Sequence, residues 1–103
     1  MRPTKIRILG KVFKVSYEGC PEDLVGQCDT DAQLIYVRDG LPLEQEADTL
    51  LHEVIHAIDE AMDCNMKETQ VKKIATGLLA VMKDNPRLTS YLKKKKPDGN
   101  PKG

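Results

Sequence analysis

The hydrophobic period of this chain changes once, at Pro42, and that change limits the folds the chain can adopt. Before Pro42, apolar and polar residues alternate over short stretches, as they do in half-buried β-strands. After Pro42, apolar residues recur with the 3.6-residue period of an amphipathic helix. Because 103 residues suffice for one small domain, the pattern predicts a single α+β domain.

Two strand pairs are predicted in the first part of the chain. Residues 5–9 and 11–17 alternate on either side of a turn at Gly10 and Lys11, which predicts a β-hairpin with one basic and one apolar face. Residues 24–26 and 33–37 predict a second pair, joined by the polar segment 29–31. Together they predict a small antiparallel sheet of three or four strands, packed on two core helices.

The two helices are predicted over residues 43–62 and about 67–84. The apolar stripe of the first is centred near Val54 and Ile58. Asn85 and Pro86 end the second, since proline cannot continue the hydrogen-bond ladder. We place the domain at 1–88 and a basic flexible tail at 89–103, because the lysine-rich end has the composition of a disordered segment.

The formal net charge is zero, but the charges are segregated along the chain. Residues 1–17 carry five basic groups and no acidic ones, residues 18–63 carry thirteen acidic groups and one basic, and residues 64–103 carry ten basic and three acidic. The acidic block suits a cation or a basic partner. A solvated acidic face is the simpler explanation of the charge alone.

Cysteine usage and hydropathy both favour a cytoplasmic protein without a membrane partner. The three cysteines have spacings that match neither a disulfide framework nor a metal knuckle. No segment has the length and hydropathy of a membrane span, and no apolar run follows the N-terminus as in a signal peptide.

Both histidines of the chain lie in one H-E-x-x-H motif within the first predicted helix: His52, Glu53, Val54, Ile55 and His56. The two imidazoles are about 40° apart on a helix and point away from its apolar stripe, so a core role is disfavoured. The alternative is that the two histidines are exposed to solvent and have no functional role. Imidazoles four residues apart can bind one Zn²⁺, and the intervening glutamate can act as general base toward a zinc-activated water.

A catalytic zinc site needs a third protein ligand, and we predict Glu68. It begins the second helix, at the edge of that helix's apolar stripe, so its carboxylate should point toward the first helix. Asn65 with Glu68 could instead form a helix cap that needs no metal. The alternative third ligands are Asp59, Asp63 and Cys64.

Residues 49–57 (Thr-Leu-Leu-His-Glu-Val-Ile-His-Ala), followed by Glu68 and apolar residues at 71, 74 and 75, resemble a known core. It is the minimal gluzincin core of ImmA/IrrE-type and related phage-encoded peptidases. The resemblance implies zinc ligation by His52, His56 and Glu68, with Glu53 as the base. It also implies a small antiparallel sheet over two helices, with an edge strand beside the cleft that receives an extended substrate. We assign residues 33–37 to that strand.

Many zincins carry a histidine or tyrosine that stabilises the oxyanion, and this chain has no third histidine. We predict Tyr36 for this role, with Tyr17 and Tyr91 as alternatives. The alternative is that Tyr36 has a structural role only, as a strand residue whose ring packs against its neighbours.

The leading functional hypothesis is a zinc-dependent metallopeptidase that cleaves a protein or peptide. The alternative is a catalytically silent zinc-binding interaction module of phage or prophage origin, located in the cytoplasm of a bacterial host. Nucleic-acid binding is disfavoured, because the lysines at 93–96 have no interleaved aromatics and offer a weak phosphate contact at best.

Overall fold

Four strands precede three helices in this protein, whose structure is a computed structural model that describes residues 1–94. The strands are β1 (Lys5–Ile8), β2 (Lys11–Ser16), β3 (Gly26–Asp29) and β4 (Leu34–Val37). The helices are α1 (Leu43–Met62), α2 (Glu68–Asp84) and α3 (Pro86–Lys93). The predicted α+β class is confirmed.

The sheet is mixed, so the prediction of a purely antiparallel sheet was wrong. Its strand order is β1-β2-β4-β3, in which β2 and β4 run parallel and the two outer pairs run antiparallel. β4 takes a central position because its Ile35 and Val37 side chains are fully buried. β3 is short and mostly polar, so it takes the edge, and the chain crosses from β2 to that edge before it returns as β4.

The assignment of residues 33–37 to an edge strand was also wrong. β4 is paired on both sides, and of the two edge strands, β1 and β3, it is β3 that contacts α1 more extensively. Hydrophobic patterning identifies a strand but does not specify its neighbours, which long-range pairing decides. The strand beside the motif helix is therefore Gly26–Asp29.

Local signals placed the first hairpin and the helices well. The hairpin turn lies at Leu9 and Gly10, one residue before the predicted turn at Gly10 and Lys11. Their φ angles of 48° and 87° are the left-handed pair that a tight hairpin turn requires. α1 spans the predicted 43–62, and α2 begins at Glu68 and ends at Asp84.

A third helix, α3, follows α2 without a predicted counterpart. Pro86 ends α2 as predicted, but it also occupies the first turn of α3, where its missing N–H and fixed φ are favourable. The predicted tail begins at residue 89, inside this helix, and its remainder from residue 95 lies outside the described residues.

α1 lies between the sheet and α2, and it contributes to two hydrophobic clusters. One joins the inner face of the sheet to Ala57 of α1. The other joins Ile55 of α1 to Val71 and Ala75 of α2. Within residues 1–94, no helix is long and apolar enough to cross a membrane.

Candidate metal centre

Three side chains from two helices converge at one end of the α1–α2 contact. The Nε2 atom of His52 lies 2.8 Å from Oε2 of Glu68, and the Nε2 atom of His56 lies 2.8 Å from Oε1 of the same carboxylate. The centroids of the two imidazole rings are 4.9 Å apart. The structure therefore brings together all three residues predicted as metal ligands.

A tight reversal after α1 places Glu68 beside the histidines. Asp63 and Asn65 adopt left-handed φ angles of 53° and 60°, which these residue types tolerate better than most. The Asp59 carboxylate accepts a hydrogen bond from the backbone N–H of Met66 at 3.1 Å, so the end of α1 holds the linker. This reversal lets a residue only twelve positions after His56 return to it.

Glu68 is not used as a helix cap. The N-cap position of α2 is Lys67, not Asn65, and the Lys67 backbone N–H donates to the Gln70 side chain at 2.8 Å. Gln70 thus fills the reciprocal role of a capping box. The Glu68 carboxylate is therefore left to face the histidines.

The cluster fits a zinc ion by its chemistry and its spacing. Two imidazole nitrogens and one carboxylate form the donor set of many catalytic zinc sites, which keep a fourth position open. The candidate ligand atoms of His52, His56 and Glu68 all lie within 4.8 Å of one another. Ligand atoms around a tetrahedral zinc are about 3.3 Å apart, given bonds of about 2.0–2.1 Å, so small side-chain shifts would suffice. The alternative explanation of the same geometry is that each imidazole pairs directly with the Glu68 carboxylate and no metal is bound.

The predicted third-ligand alternatives are placed differently. Asp59 lines the same cavity as the cluster, but its carboxylate binds the Met66 N–H. Asp63 is the C-cap of α1, and Cys64 is exposed in the linker. Among the residues that the structure describes, only His52, His56 and Glu68 form a group able to hold a metal ion.

Glu53 lies beside the cluster and is more buried than the three residues that form it. Only 7% of its surface is exposed, compared with 14%, 33% and 64% of the side chains of His52, His56 and Glu68. Burial raises the pKa of the Glu53 carboxyl above its ordinary value, and the adjacent Glu68 carboxylate acts in the same direction. The neighbouring imidazoles oppose this shift.

The edge strand approaches Glu53 closely at Gly26, a contact the sequence analysis missed. A Cβ atom at Gly26 would lie 2.6 Å from Cγ2 of Thr49 and 3.0 Å from Oε2 of Glu53. It would also lie 3.2 Å from the backbone oxygen of Tyr36. An isolated glycine within a strand is the sequence signal for such a close backbone approach.

Two cavities flank the cluster and share Gly26, His52, Glu53 and Glu68. One, of about 390 Å³, extends along β3 toward Cys28. The other, of about 440 Å³, extends along the segment before β3 and is lined on its far side by Lys72 of α2. Together they form a groove, hereafter the cleft, that passes the cluster between β3 and α2.

Tyr36 is not at this site. Ile35 and Val37 point into the core, so the alternation of a strand directs Tyr36 to the opposite face of the sheet. There its ring lies near Gly19 and lines a separate cavity with Lys14. The prediction of Tyr36 as an oxyanion donor is therefore not supported.

Neither alternative tyrosine is placed at the cleft. The Tyr17 hydroxyl donates to the Pro3 carbonyl at 2.7 Å, with the Arg2 guanidinium 3.9 Å from its ring centroid. Tyr91 is exposed on α3.

Comparison with known proteins adds no family assignment. No family model matches the chain, and neither a curated protein nor a solved structure matches it. The resemblance to gluzincins therefore rests on the motif and on Glu68.

Proposed function

We propose that this chain is a zinc-dependent metallopeptidase, with His52, His56 and Glu68 as ligands and Glu53 as general base. Its main support is the convergence of two Nε2 atoms on the carboxylate of Glu68, which lies on a different helix. In a helix cap, the Glu68 carboxylate would accept a hydrogen bond from a backbone N–H. Here the Gln70 side chain accepts that hydrogen bond instead. A zinc ion in this site would supply a Lewis acid that polarises a peptide carbonyl and lowers the pKa of water.

Glu53 is suited to move the proton in this reaction. It follows His52 on α1 and lines both cavities of the cleft. Its raised pKa, caused by burial, makes the carboxylate a better proton acceptor than an exposed glutamate. In the proposed reaction it accepts a proton from the attacking water and delivers it to the leaving amine.

β3 is the strand suited to hold the substrate. As an edge strand it has main-chain groups without a strand partner on the side away from β4. An extended peptide can add to such an edge through backbone hydrogen bonds, which place its carbonyls at a defined distance from the cluster. The cavities lined by Gly26 on both sides of the cluster supply the space.

The metal content of the purified protein tests the ligand set. We expect one zinc ion per chain by elemental mass spectrometry, with loss of zinc in His56→Ala and in Glu68→Ala. Glu60→Ala is the matched control, because Glu60 lines the same cavity but does not belong to the cluster. Zinc retained in Glu68→Ala would instead favour Asp59 or another alternative ligand.

Glu53→Gln separates catalysis from metal binding. The amide cannot accept the proton, so cleavage of a peptide library should stop while zinc content stays unchanged. An unchanged cleavage rate in this variant would contradict the assigned role of Glu53.

The second candidate is a catalytically silent zinc-binding module, and one observation favours it. No tyrosine of the described part lies at the cluster, and the chain has no third histidine, so the usual oxyanion donor is missing. Zinc binding without cleavage in the wild type would support this module.

A reducing cytoplasmic location belongs to the same proposal. Cys20, Cys28 and Cys64 are all free thiols, which suits a compartment that keeps cysteines reduced.

A further inference from the structure

Carboxylates line the cleft on both sides of the metal cluster. Asp59 and Glu60 line the end toward Cys28, and Asp23 and Asp48 line the opposite end. Lys72 is the single lysine or arginine in the lining of either cavity.

These carboxylates keep their negative charge available to a ligand. Within residues 1–94, none of the four forms an ion pair with a lysine or arginine. Asp48 accepts a hydrogen bond from the Thr76 hydroxyl and Asp59 accepts one from a backbone N–H, neither of which neutralises the charge. Both ends of the cleft are therefore negative.

A second observation points to a ligand between these two ends. Glu53 is more than nine-tenths buried and lines both cavities. Among the described residues, its carboxylate takes part in no hydrogen bond or ion pair. The oxygen atoms of this carboxylate are not sealed from the surface, and the residue lines both cavities, so a group bound in the cleft can reach them.

A dication at the cluster would not remove the charge at the two ends. Two positive charges balance Glu53 and Glu68, which lie at the centre. Two carboxylates remain at the end toward Cys28, and two carboxylates together with Lys72 remain at the opposite end. An occupant that crosses the cluster therefore still meets negative charge at both ends.

We propose that the substrates of this site are extended peptide segments that carry lysine or arginine on both sides of the bond at the cluster. Their side chains pair with Asp59 and Glu60 at one end and with Asp23 and Asp48 at the other. Their backbone adds to β3 at Gly26. This inference rests on the proposed function, and it names the substrate class of the same site.

Peptide binding to the zinc-loaded Glu53→Gln variant tests the inference without cleavage. The probes are fluorescein-labelled peptides of equal length with the same central dipeptide, flanked by lysine and arginine, by serine, or by glutamate. We expect the cationic peptide to bind about tenfold more tightly than the serine peptide, with an affinity that falls steeply as salt increases. Equal affinities of the cationic and serine peptides would overturn the inference.

Charge reversal then tests whether the cleft carries the preference. Asp23→Lys with Glu60→Lys should remove the preference for the cationic peptide, because both acids are exposed at opposite ends of the cleft. Glu18→Lys with Asp84→Lys changes the net charge equally at exposed acids outside the cleft and should keep the preference. The same loss in both variants would overturn the inference in favour of a net-charge effect.

The two hypotheses fail in different measurements. Absence of zinc from the purified protein contradicts the proposed function before any peptide is added. A zinc-loaded protein that binds all three peptides equally contradicts only the substrate class.

Discussion

The backbone of Gly26 in β3 packs closely against the Thr49 and Glu53 side chains of α1. The separation leaves no room for a Cβ atom, which would meet Thr49 at 2.6 Å and Glu53 at 3.0 Å. Gly26 therefore allows β3 to approach α1, and this approach is what buries Glu53 beside two less buried histidines. The position of the proposed general base therefore depends on a residue outside the motif.

Replacement of Gly26 by alanine should disturb this contact. We expect Gly26→Ala to lower the free energy of unfolding by about 1–3 kcal/mol, because the added methyl group displaces Thr49 and β3. It should reduce the proposed peptidase activity while zinc content stays unchanged, because the proposed ligands lie on the helices. Urea denaturation and elemental mass spectrometry measure the two effects.

Gly77→Ala is the matched control for Gly26→Ala. A Cβ at Gly77, within α2, has no neighbouring atom within 4 Å, and alanine favours a helix over glycine by about 0.5–1 kcal/mol. Gly77→Ala should therefore stabilise the protein. A Gly26→Ala variant as stable as the wild type would contradict the close approach of β3 to α1.

The three thiols differ in environment, which gives a prediction on pH. Burial, followed by the charges of Glu53, Asp29 and Glu60, raises the pKa of Cys28 to about 11. Since the thiolate is the reactive form, metal-depleted protein should show slow alkylation of Cys28 at pH 8, with a rate that rises until about pH 11. Exposed Cys64 should react first. Equal rates for the two at pH 8, read by peptide mass spectrometry, would contradict this environment.

At the scale of elements, the helices were predictable and the strand neighbours were not. A helix depends on contacts three and four residues apart, so the apolar period and Pro42 place α1, and Pro86 ends α2. The positions of His52 and His56 on one helix side follow from the same period. The place of β3 at the edge depends on pairing with β4 across the crossover, which no local pattern specifies.

The candidate site likewise has a part that the sequence predicts and a part that it does not. Its proposed ligands were predictable because a motif and a helix start carry them. The contact at Gly26 and the burial of Glu53 were not, because both need the position of β3. Tyr36 was misplaced for the same reason: once Ile35 and Val37 fill the core, strand alternation directs Tyr36 away from the helices.

α2 is attached to α1 through few buried side chains, so one of them should carry much of the attachment. Val71 is fully buried, whereas Ile74 on the same helix is 49% exposed. We expect Val71→Ala to lower the free energy of unfolding by about 2 kcal/mol, because it leaves a cavity between the helices. Ile74→Ala should cost less than about 1 kcal/mol. Equal losses in urea denaturation would contradict the assignment of Val71 to the α1–α2 core.

For the whole molecule, the proposed metal site joins two parts that pack on separate clusters. α1 packs on the sheet through one cluster and on α2 through a smaller one built around Ile55, Val71 and Ala75. Two of the proposed ligands lie on α1 and the third on α2. An ion bound by all three would cross-link the helices in the folded state alone, since the unfolded chain does not hold the ligands together.

Zinc should therefore raise the melting temperature of the metal-depleted protein. A ligand at 100 times its Kd stabilises a fold by about 2.7 kcal/mol, which for a domain of this size corresponds to about 10 °C or more. His56→Ala and Glu68→Ala should each lose this shift, while Glu60→Ala should keep it, because only the first two remove a ligand of the cluster. Differential scanning calorimetry at fixed protein concentration measures the shift. An equal shift in Glu68→Ala and the wild type would show that zinc does not bridge α1 and α2.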